Sequence, residues 1–246
     1  MATNPIPRAD RNSKLAHEQL LEKAKKGRID LYFEGDSITR RWGASDKQYS
    51  DFLANWKENF HGWNAGNFGW GGDTVQNILW RLENGELDGV RPKVIVLMAG
   101  TNNVGNAPLS VAAADAKVNE VTQGIKAILE VMQIKAPDAT ILLTAITARN
   151  DGGLRPTTTA TIDRINANLA KIADGKKIRY IHINDKLADA NGKLIEGMTV
   201  DGLHLSTKGY QIWADALKPI LTELLGPPAK TDSAPEPTGD PSAKQR

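Results

Sequence analysis

The sequence predicts an α/β fold, a three-layer α/β/α sandwich in which helices cover both faces of a five-stranded parallel sheet. Five short and nearly unbroken apolar segments alternate with longer helical patterns along the chain. Strands of this kind are typical of a parallel sheet, because both of their faces must be buried under helices. Ligands of such folds bind beyond the carboxyl ends of the strands, so the polar residues that follow each strand are the candidates for function.

The first part of the chain contains two predicted strands, each preceded by a predicted helix. A helix is predicted from Lys14 to Lys26, and the apolar strand IDLYFE follows at 29–34. A second helix, from Lys47 to Glu58, precedes the strand WNAGNF at 63–68. A third helix, from Thr74 to Leu82, then leads to the next strand.

The same alternation continues through the rest of the chain. The predicted strands are VIVLMA at 94–99, ATILLTAI at 139–146 and IRYIHI at 178–183. The helical patterns cover 111–135, 158–173 and 207–225, and Pro219 lies inside the last of them. The sequence shows no internal repeat, which favours one sheet over an array of small units.

Both ends of the chain differ in composition from this body. Residues 1–12 carry Pro5 and Pro7 and are mostly polar, which predicts an extended N-terminal arm. Residues 226–246 are dense in proline, serine and charged residues, which predicts a disordered C-terminal tail. The predicted domain is therefore 13–225.

The composition excludes several classes of function. Lys and Arg number 31 against 29 Asp and Glu, so no net field favours nucleic acid or an anionic membrane. The absence of cysteine excludes disulfides, thiolate zinc sites and cysteine nucleophiles. The longest apolar run, Val94 to Ala99, is too short to span a membrane, and no segment resembles a signal peptide, which predicts a soluble chain. The compartment stays open, because a secreted or periplasmic protein that has lost its signal peptide shows the same pattern.

The first two strands end in segments that suit acyl transfer. Ser37 follows Gly35 and Asp36 at a strand-to-helix turn, where a hydroxyl is exposed beside helix-terminal amides. Glycines at 69, 71 and 72 follow the second strand, and the amide of Gly72 can donate to an oxyanion. The competing interpretations are a helix cap at Ser37 and a structural turn at the glycines, whose spacing matches neither a P-loop nor a dinucleotide motif.

Asn102 and Arg149 follow the third and fourth strands. The amide of Asn102 can hydrogen-bond a developing negative oxygen without titrating, and an Asn-rich turn is the alternative. Arg149 is a candidate substrate contact, and a solvated surface arginine is the alternative.

The sharpest local signal is Asp201 with His204, between the fifth strand and the last helix. On one helical turn, this spacing brings both side chains to the same side. The carboxylate then holds one imidazole nitrogen protonated while the other nitrogen faces Ser37. The other three histidines lie in a charged helix, at a strand edge and within an apolar strand. Motifs at the ends of neighbouring strands together predict a serine esterase with Ser37, His204 and Asp201 as its triad.

These residues resemble the four motif blocks of the SGNH (GDSL) hydrolases. The blocks are GDSIT, the Gly-Gly-Asp-Thr loop, GTNN and DGLHL, and the resemblance spans Ile29 to Leu217. Within this family, the stretch NFGWGGDTVQNILWRLENGELDGVRPKVIVLMAGTNN is similar to the α-type subunits of platelet-activating-factor acetylhydrolase. Bacterial relatives that look like this often remove acetyl groups from carbohydrates.

The resemblance implies the flavodoxin-like SGNH hydrolase fold and a role for each matching residue. Ser37 is implied as the nucleophile, with its amide in the oxyanion hole. Gly72 and Asn102 are implied as the other oxyanion donors, and His204 as the base oriented by Asp201. The resemblance implies no metal and no cofactor, and a homodimer is expected by analogy.

The chain departs from the family pattern at two places. Trp70 stands where a smaller apolar residue is usual, and Arg40 and Arg41 follow the nucleophile turn. We expect these side chains to narrow or polarise the acyl pocket, with Trp70 and Arg149 contacting the substrate. Trp42 and Trp63 join Trp70 as candidates for a sugar-stacking surface, and burial in the core is the alternative.

The expected activity is hydrolysis of short-chain acyl esters, chiefly acetyl esters, of a carbohydrate or another small polar substrate. The loops after the strands are rich in Gly, Asn, Asp and Thr. A lipid-directed acyl hydrolase or thioesterase with the same triad is the alternative, and it would need a long apolar cleft. A silent binding protein would be expected to lack one of the five implied residues, and none is missing.

Overall fold

A computed structural model describes residues 3–105, 109–151, 153 and 156–245 and confirms the α/β fold. Five parallel strands form one sheet in the order β2-β1-β3-β4-β5. The strands are β1 (Leu31–Gly35), β2 (Ala65–Asn67), β3 (Val94–Met98), β4 (Thr140–Thr144) and β5 (Ile178–Ile181). Each lies within its predicted segment except at Gly35, by which β1 extends one residue further. The chain adds β2 on one side of β1 and then β3, β4 and β5 on the other side. This change in the direction of strand order places a crevice beyond the carboxyl ends of β1 and β3.

Helices connect these strands and cover the sheet. The α-helices are α1 (Arg11–Ala24), α2 (Ser37–Gly43), α3 (Ser50–Phe60), α4 (Val75–Arg81), α5 (Thr101–Val104), α6 (Val111–Lys135), α7 (Pro156–Ile172), α8 (Asn184–Leu187) and α9 (Thr207–Leu225). Short 3-10 turns lie at Lys47–Tyr49 and Pro241–Gln245, and a π-helical turn at Leu82–Glu86. The predicted bounds of α6 and α9 agree with the structure, and none of the helices in the described ranges is long and apolar enough to cross a membrane.

The side chains of the central strands alternate between two apolar layers. In β1, Leu31 and Phe33 pack with α2, α3 and α9, whereas Tyr32 packs with α4, α6 and α7 on the opposite face. All five residues of β1 and of β3 are buried, as strands covered on both faces must be. The expected three-layer sandwich is therefore present, and it fixes the strand ends from which the site is built.

The tryptophans proposed for sugar stacking belong mainly to the core. Trp42 is fully buried and stacks on Tyr210 and Trp213, with ring centroids 4.9 and 5.0 Å apart. Trp63 is only 5% exposed and donates its indole N–H to the carbonyl of Gly226. The sugar-stacking interpretation is wrong for Trp42 and Trp63, because a buried ring offers no face to a ligand.

The C-terminal tail follows the surface of the domain. The carboxylate of Asp232 accepts from the backbone N–H groups of Gly62 (2.6 Å) and Asn64 (3.3 Å), and Arg28 N–H donates to the carbonyl of Ser233 (2.8 Å). Composition predicts disorder there because the segment has little apolar surface to bury. In the structure, the tail supplies partners to backbone groups of loops on the domain, and its disorder in solution stays a prediction.

The N-terminal arm has no regular secondary structure from residue 5 to residue 9, and α1 begins at Arg11 within the predicted arm. Ile6 N–H donates to the carbonyl of Gln76 (3.1 Å), and Asn77 Nδ2 donates to the carbonyl of Ile6 (2.8 Å). The arm is thus bound to the first turns of α4, directly after the glycine loop that follows β2.

Candidate active site

The turn from β1 into α2 places Ser37 at the crevice. Asp36 caps α2, with its Oδ1 accepting from Ile38 N–H at 2.9 Å, and Ser37 is the first helical residue. A β-carbon on Gly35 would lie 2.3 Å from Thr39 Oγ1 and 2.5 Å from the carbonyl oxygen of Met98. Glycine is therefore required for the close approach of β1 to β3 that presents the Ser37 hydroxyl.

His204 and Asp201 meet Ser37 from a loop far away in the chain. His204 Nε2 is 2.9 Å from Ser37 Oγ, and His204 Nδ1 is 2.7 Å from Asp201 Oδ2. The other Asp201 oxygen accepts from Leu203 N–H (3.1 Å) and His204 N–H (2.8 Å). Because a carboxylate only accepts, Nδ1 carries the proton and Nε2 is free to accept from the serine.

The backbone around this pair is a bend and not the helical turn that the three-residue spacing predicts. Asp201 reaches His204 because its carboxylate bridges the bend to two following N–H groups. The spacing therefore leads to the correct contact through a different local structure.

The electrostatics of the pair favour a neutral imidazole and an ionised carboxylate. Burial lowers the pKa of His204, and the positive charge of Arg41 lowers it further, while Asp201 raises it. For Asp201, burial raises the pKa, but hydrogen bonds from His204 outweigh it and the pKa is lowered. A neutral imidazole beside a serine hydroxyl is the state that a general base needs.

The glycine loop and Asn102 border the nucleophile. A β-carbon on Gly71 would lie 3.8 Å from Ser37 Cβ, and Gly72 has a φ of +80° that glycine adopts readily. Asn102 Nδ2 donates to the carbonyl of Asp73 at 2.8 Å. Since a side-chain amide carries two N–H hydrogens, the second one is available to a ligand. The structure thus brings together the residues predicted as oxyanion donors.

The neighbouring Asn103 links the two loops that carry these donors. Its Oδ1 accepts from Val75 N–H at 2.9 Å, and its Nδ2 donates to Gln76 Oε1 at 2.8 Å. Asn103 is buried, whereas Asn102 is partly exposed. The two adjacent asparagines therefore make different contacts, Asn102 with the carbonyl of Asp73 and Asn103 with α4.

The two predicted substrate contacts are largely buried. Trp70 is 8% exposed, and the guanidinium carbon of Arg40 lies 4.6 Å from its ring centroid. Arg149 is 7% exposed; it donates to the Thr101 carbonyl and hydroxyl at 3.0 Å and to the Asp151 carboxylate at 2.6 and 2.7 Å. The alternative of a solvated surface arginine is wrong, because Arg149 fastens the loop after β4 to Thr101.

Sequence reasoning missed a buried charge cluster behind the glycine loop. Arg81 donates to Asp73 (2.5 Å) and lies 3.4 Å from Glu86, whose other neighbour is His17 Nδ1 at 2.8 Å. Burial raises the pKa of Asp73 to about 6, against the lowering effect of Arg81. Asp73 belongs to the Gly-Gly-Asp-Thr motif, which the sequence analysis identified. Its partner Arg81 lies at the end of α4, so the motif alone did not indicate the contact. Among the residues that the structure describes, no group of three or more His, Asp or Glu is arranged to hold a metal ion.

Comparison with known proteins identifies the family that this chain resembles over most of its length. The family model of the GDSL-like lipase/acylhydrolases matches residues 33–212. The alpha1 subunit of platelet-activating factor acetylhydrolase IB from Bos taurus is 30% identical over 227 residues, which covers 92% of this chain and 89% of that subunit. The human alpha1 subunit is 31% identical over 211 residues, 85% of this chain and 82% of its own.

Solved structures share the fold at lower identity. A GDSL-like lipase from Bacteroides thetaiotaomicron superposes with a TM-score of 0.63 at 19% identity, covering 85% of this chain and 98% of its own. A family two carbohydrate esterase from Clostridium thermocellum gives a TM-score of 0.54 at 16% identity, covering 82% of this chain and 65% of its own.

Proposed function

The chain belongs to the GDSL-like lipase/acylhydrolase family, a family of hydrolases that act on esters, and from this we propose that it is a serine esterase using an acyl-enzyme. The observation that carries the proposal is the continuous hydrogen-bonded series from Ser37 Oγ through His204 to Asp201, at 2.9 and 2.7 Å. A nucleophile, a base and an orienting carboxylate in this order are the parts that acyl transfer needs.

Acylation begins with proton transfer from Ser37 Oγ to His204 Nε2 as the oxygen attacks the ester carbonyl. The carbonyl oxygen becomes an oxyanion, for which the free hydrogen of Asn102 and the amides of Gly72 and Ser37 are the proposed donors. Asp201 stabilises the imidazolium that forms. His204 then protonates the leaving alcohol, and the acyl group stays on Ser37.

Deacylation uses the same residues with water as the nucleophile. His204 takes a proton from water, the hydroxide attacks the acyl-enzyme carbonyl, and the same donors stabilise the second oxyanion. Collapse of this intermediate returns the proton from His204 to Ser37 and releases the carboxylic acid. Every step uses side chains and amides of this chain.

For the substrate, we propose a short acyl group on a polar alcohol such as a carbohydrate. A cavity of about 530 Å³ lies beyond the ends of β4 and β5. Arg149 is one of its lining residues, and the same side chain is hydrogen-bonded to Thr101, next to Asn102. Asp163, His182, Asn184 and Asp189 line it, and such side chains suit a ligand with several hydroxyl groups. The family two carbohydrate esterase shows that an enzyme of this fold acts on a carbohydrate ester.

The second candidate is a lipid-directed or platelet-activating-factor type acyl hydrolase with the same triad. The relatives that are 30% and 31% identical favour this candidate, because both are named as subunits of platelet-activating factor acetylhydrolase IB. Acyl chain length separates the two candidates, because a long acyl chain requires an extended apolar cleft.

The experiment compares p-nitrophenyl acetate, butyrate and octanoate with an acetylated oligosaccharide, using the wild type and Ser37→Ala. We expect acetate and the sugar ester to be hydrolysed, and Ser37→Ala to lower kcat by about 10⁴-fold or more. The matched control is Ser50→Ala, a change at an exposed serine at the start of α3.

Preference for octanoate with no action on the sugar ester would replace the carbohydrate assignment with the lipid-directed one. Equal rates for wild type and Ser37→Ala would refute the serine esterase proposal. Loss of activity in Ser50→Ala as well would trace the effect to folding.

A further inference from the structure

A cationic side chain of the N-terminal arm contacts the peptide unit that carries a proposed oxyanion donor. Arg8 Nη1 lies 3.1 Å from the carbonyl oxygen of Gly71 and 3.3 Å from Asp73 Oδ1. In a trans peptide the Gly71 carbonyl and the Gly72 N–H lie in one plane and point in opposite directions. A group that fixes the carbonyl therefore also fixes the direction of the N–H.

Arg8 is itself held in place. Its Nε donates to Asp10 Oδ2 at 2.9 Å, and the arm is bound to α4 through Ile6. A β-carbon on Gly72 would lie 2.9 Å from Arg8 Nη1, so the guanidinium packs directly against the glycine loop. Arg8 is preorganised and only about a third exposed, at 30%.

Asp73 has a closer cationic partner than Arg8, although the charge of Arg8 also lowers the pKa of Asp73. Arg81 already donates to both Asp73 oxygens, at 2.5 and 3.4 Å, and is almost completely buried. The remaining hydrogen bond, from Arg8 to the Gly71 carbonyl, is charge-assisted and polarises the peptide. Polarisation of a peptide through its oxygen strengthens its N–H as a donor.

We propose that Arg8 is a positioning residue that orients and polarises the Gly71–Gly72 peptide, so that the Gly72 N–H stabilises the oxyanion. The inference rests on the proposed esterase function. It extends the site to the N-terminal arm, since Arg8 lies 29 positions before Ser37 in the sequence. Since an oxyanion forms only on the reaction path, Arg8 acts on kcat and leaves substrate binding unchanged.

The test compares Arg8→Met and Arg8→Lys with wild type in the hydrolysis of p-nitrophenyl acetate. We expect Arg8→Met to lower kcat by about 10- to 100-fold, part of the loss for a complete oxyanion donor, with KM within about twofold. Arg8→Lys keeps the positive charge but lacks the planar guanidinium group, and we expect its kcat to lie between those of wild type and Arg8→Met.

The matched control is Lys14→Met, which replaces an exposed cation of α1, close to the arm in sequence, by the same residue. We expect its kcat to stay within about twofold of wild type. An equal loss in Lys14→Met would trace the effect to the removal of any positive charge from this region and overturn the proposal.

Wild type and Ser37→Ala are measured beside these variants. If the wild type is active, Ser37→Ala is inactive and folded Arg8→Met or Arg8→Lys keeps full kcat, the Arg8 inference fails and the esterase function stands. If the wild type hydrolyses none of the esters, the proposed function fails and the role of Arg8 fails with it.

Discussion

Asn102 and Asn103 provide a test in which one substitution removes activity and its neighbour removes stability. Asn102→Ala deletes the proposed oxyanion donor and one hydrogen bond to the Asp73 carbonyl. Asn103→Ala deletes the buried acceptor of Val75 N–H and the donor to Gln76. The chemical change is the same in both variants, and only the direction of the side chain differs.

The structure sets the size of each effect. For Asn102→Ala we expect kcat to fall by about 10²- to 10³-fold, equivalent to about 3–4 kcal/mol of transition-state stabilisation. The free energy of unfolding should fall by only about 1 kcal/mol, because a single partly exposed hydrogen bond is lost. For Asn103→Ala, a buried N–H is left without its acceptor, and we expect a loss of about 2–3 kcal/mol.

The assays are kcat with p-nitrophenyl acetate and thermal unfolding followed by circular dichroism. In a domain of this size, the loss for Asn103→Ala corresponds to a Tm lower by about 5–10 °C, while kcat at 25 °C stays within about threefold of wild type. A wild-type kcat in Asn102→Ala would refute the oxyanion role. Equal kcat losses in both variants, with both folded, would show that the loop as a whole and not the Asn102 amide supports the reaction.

Three further predictions follow from titration and from the tail. Because burial lowers the pKa of His204, kcat/KM should rise with pH to a plateau with a midpoint below 6.5. Arg41→Gln should move this midpoint to higher pH, because the charge of Arg41 also lowers the pKa. A midpoint above 7 in wild type would contradict the role of His204 as the general base. Burial raises the pKa of Asp36 from 3.8 to about 7, so the folded protein binds the proton more tightly and loses stability as pH rises through this range. The Tm of Asp36→Asn relative to wild type should therefore increase between pH 5 and pH 8, and a constant difference would count against the burial effect. Asp232→Ala removes the acceptor of two backbone N–H groups of the domain and of one in the tail itself, at Ala234. It should reduce stability by about 1–2 kcal/mol in urea unfolding, with kcat unchanged; an unchanged midpoint would show that the tail contacts are not stabilising.

The long elements were predictable because their signal is local. In α6 and α9, apolar residues recur with the helical period over many turns, and the predicted bounds agree with the structure. The helices α5 and α8 were not predicted, because four residues show no helical period. These helices begin at or next to strand ends, where hydrogen bonds from loops support them.

The candidate site was predictable in outline for a reason of topology. A parallel sheet brings the carboxyl ends of its strands to one edge, so residues that follow different strands become neighbours. Ser37 and His204 are 167 positions apart in sequence, yet their positions relative to the strands indicated that they meet. The resemblance to a known family added the role of each residue.

The fold class, the family and the residues at the strand ends could be predicted before folding was considered, since they depend on local periodicity and short motifs. The side chains that support these residues became evident only in the folded chain. The contacts of Arg8 with Gly71, of Arg81 with Asp73 and of Arg149 with Thr101 join elements whose mutual distance no local pattern encodes. Burial of Trp42 and attachment of the tail are decided in the same way, because both depend on which surfaces face each other after the layers have packed.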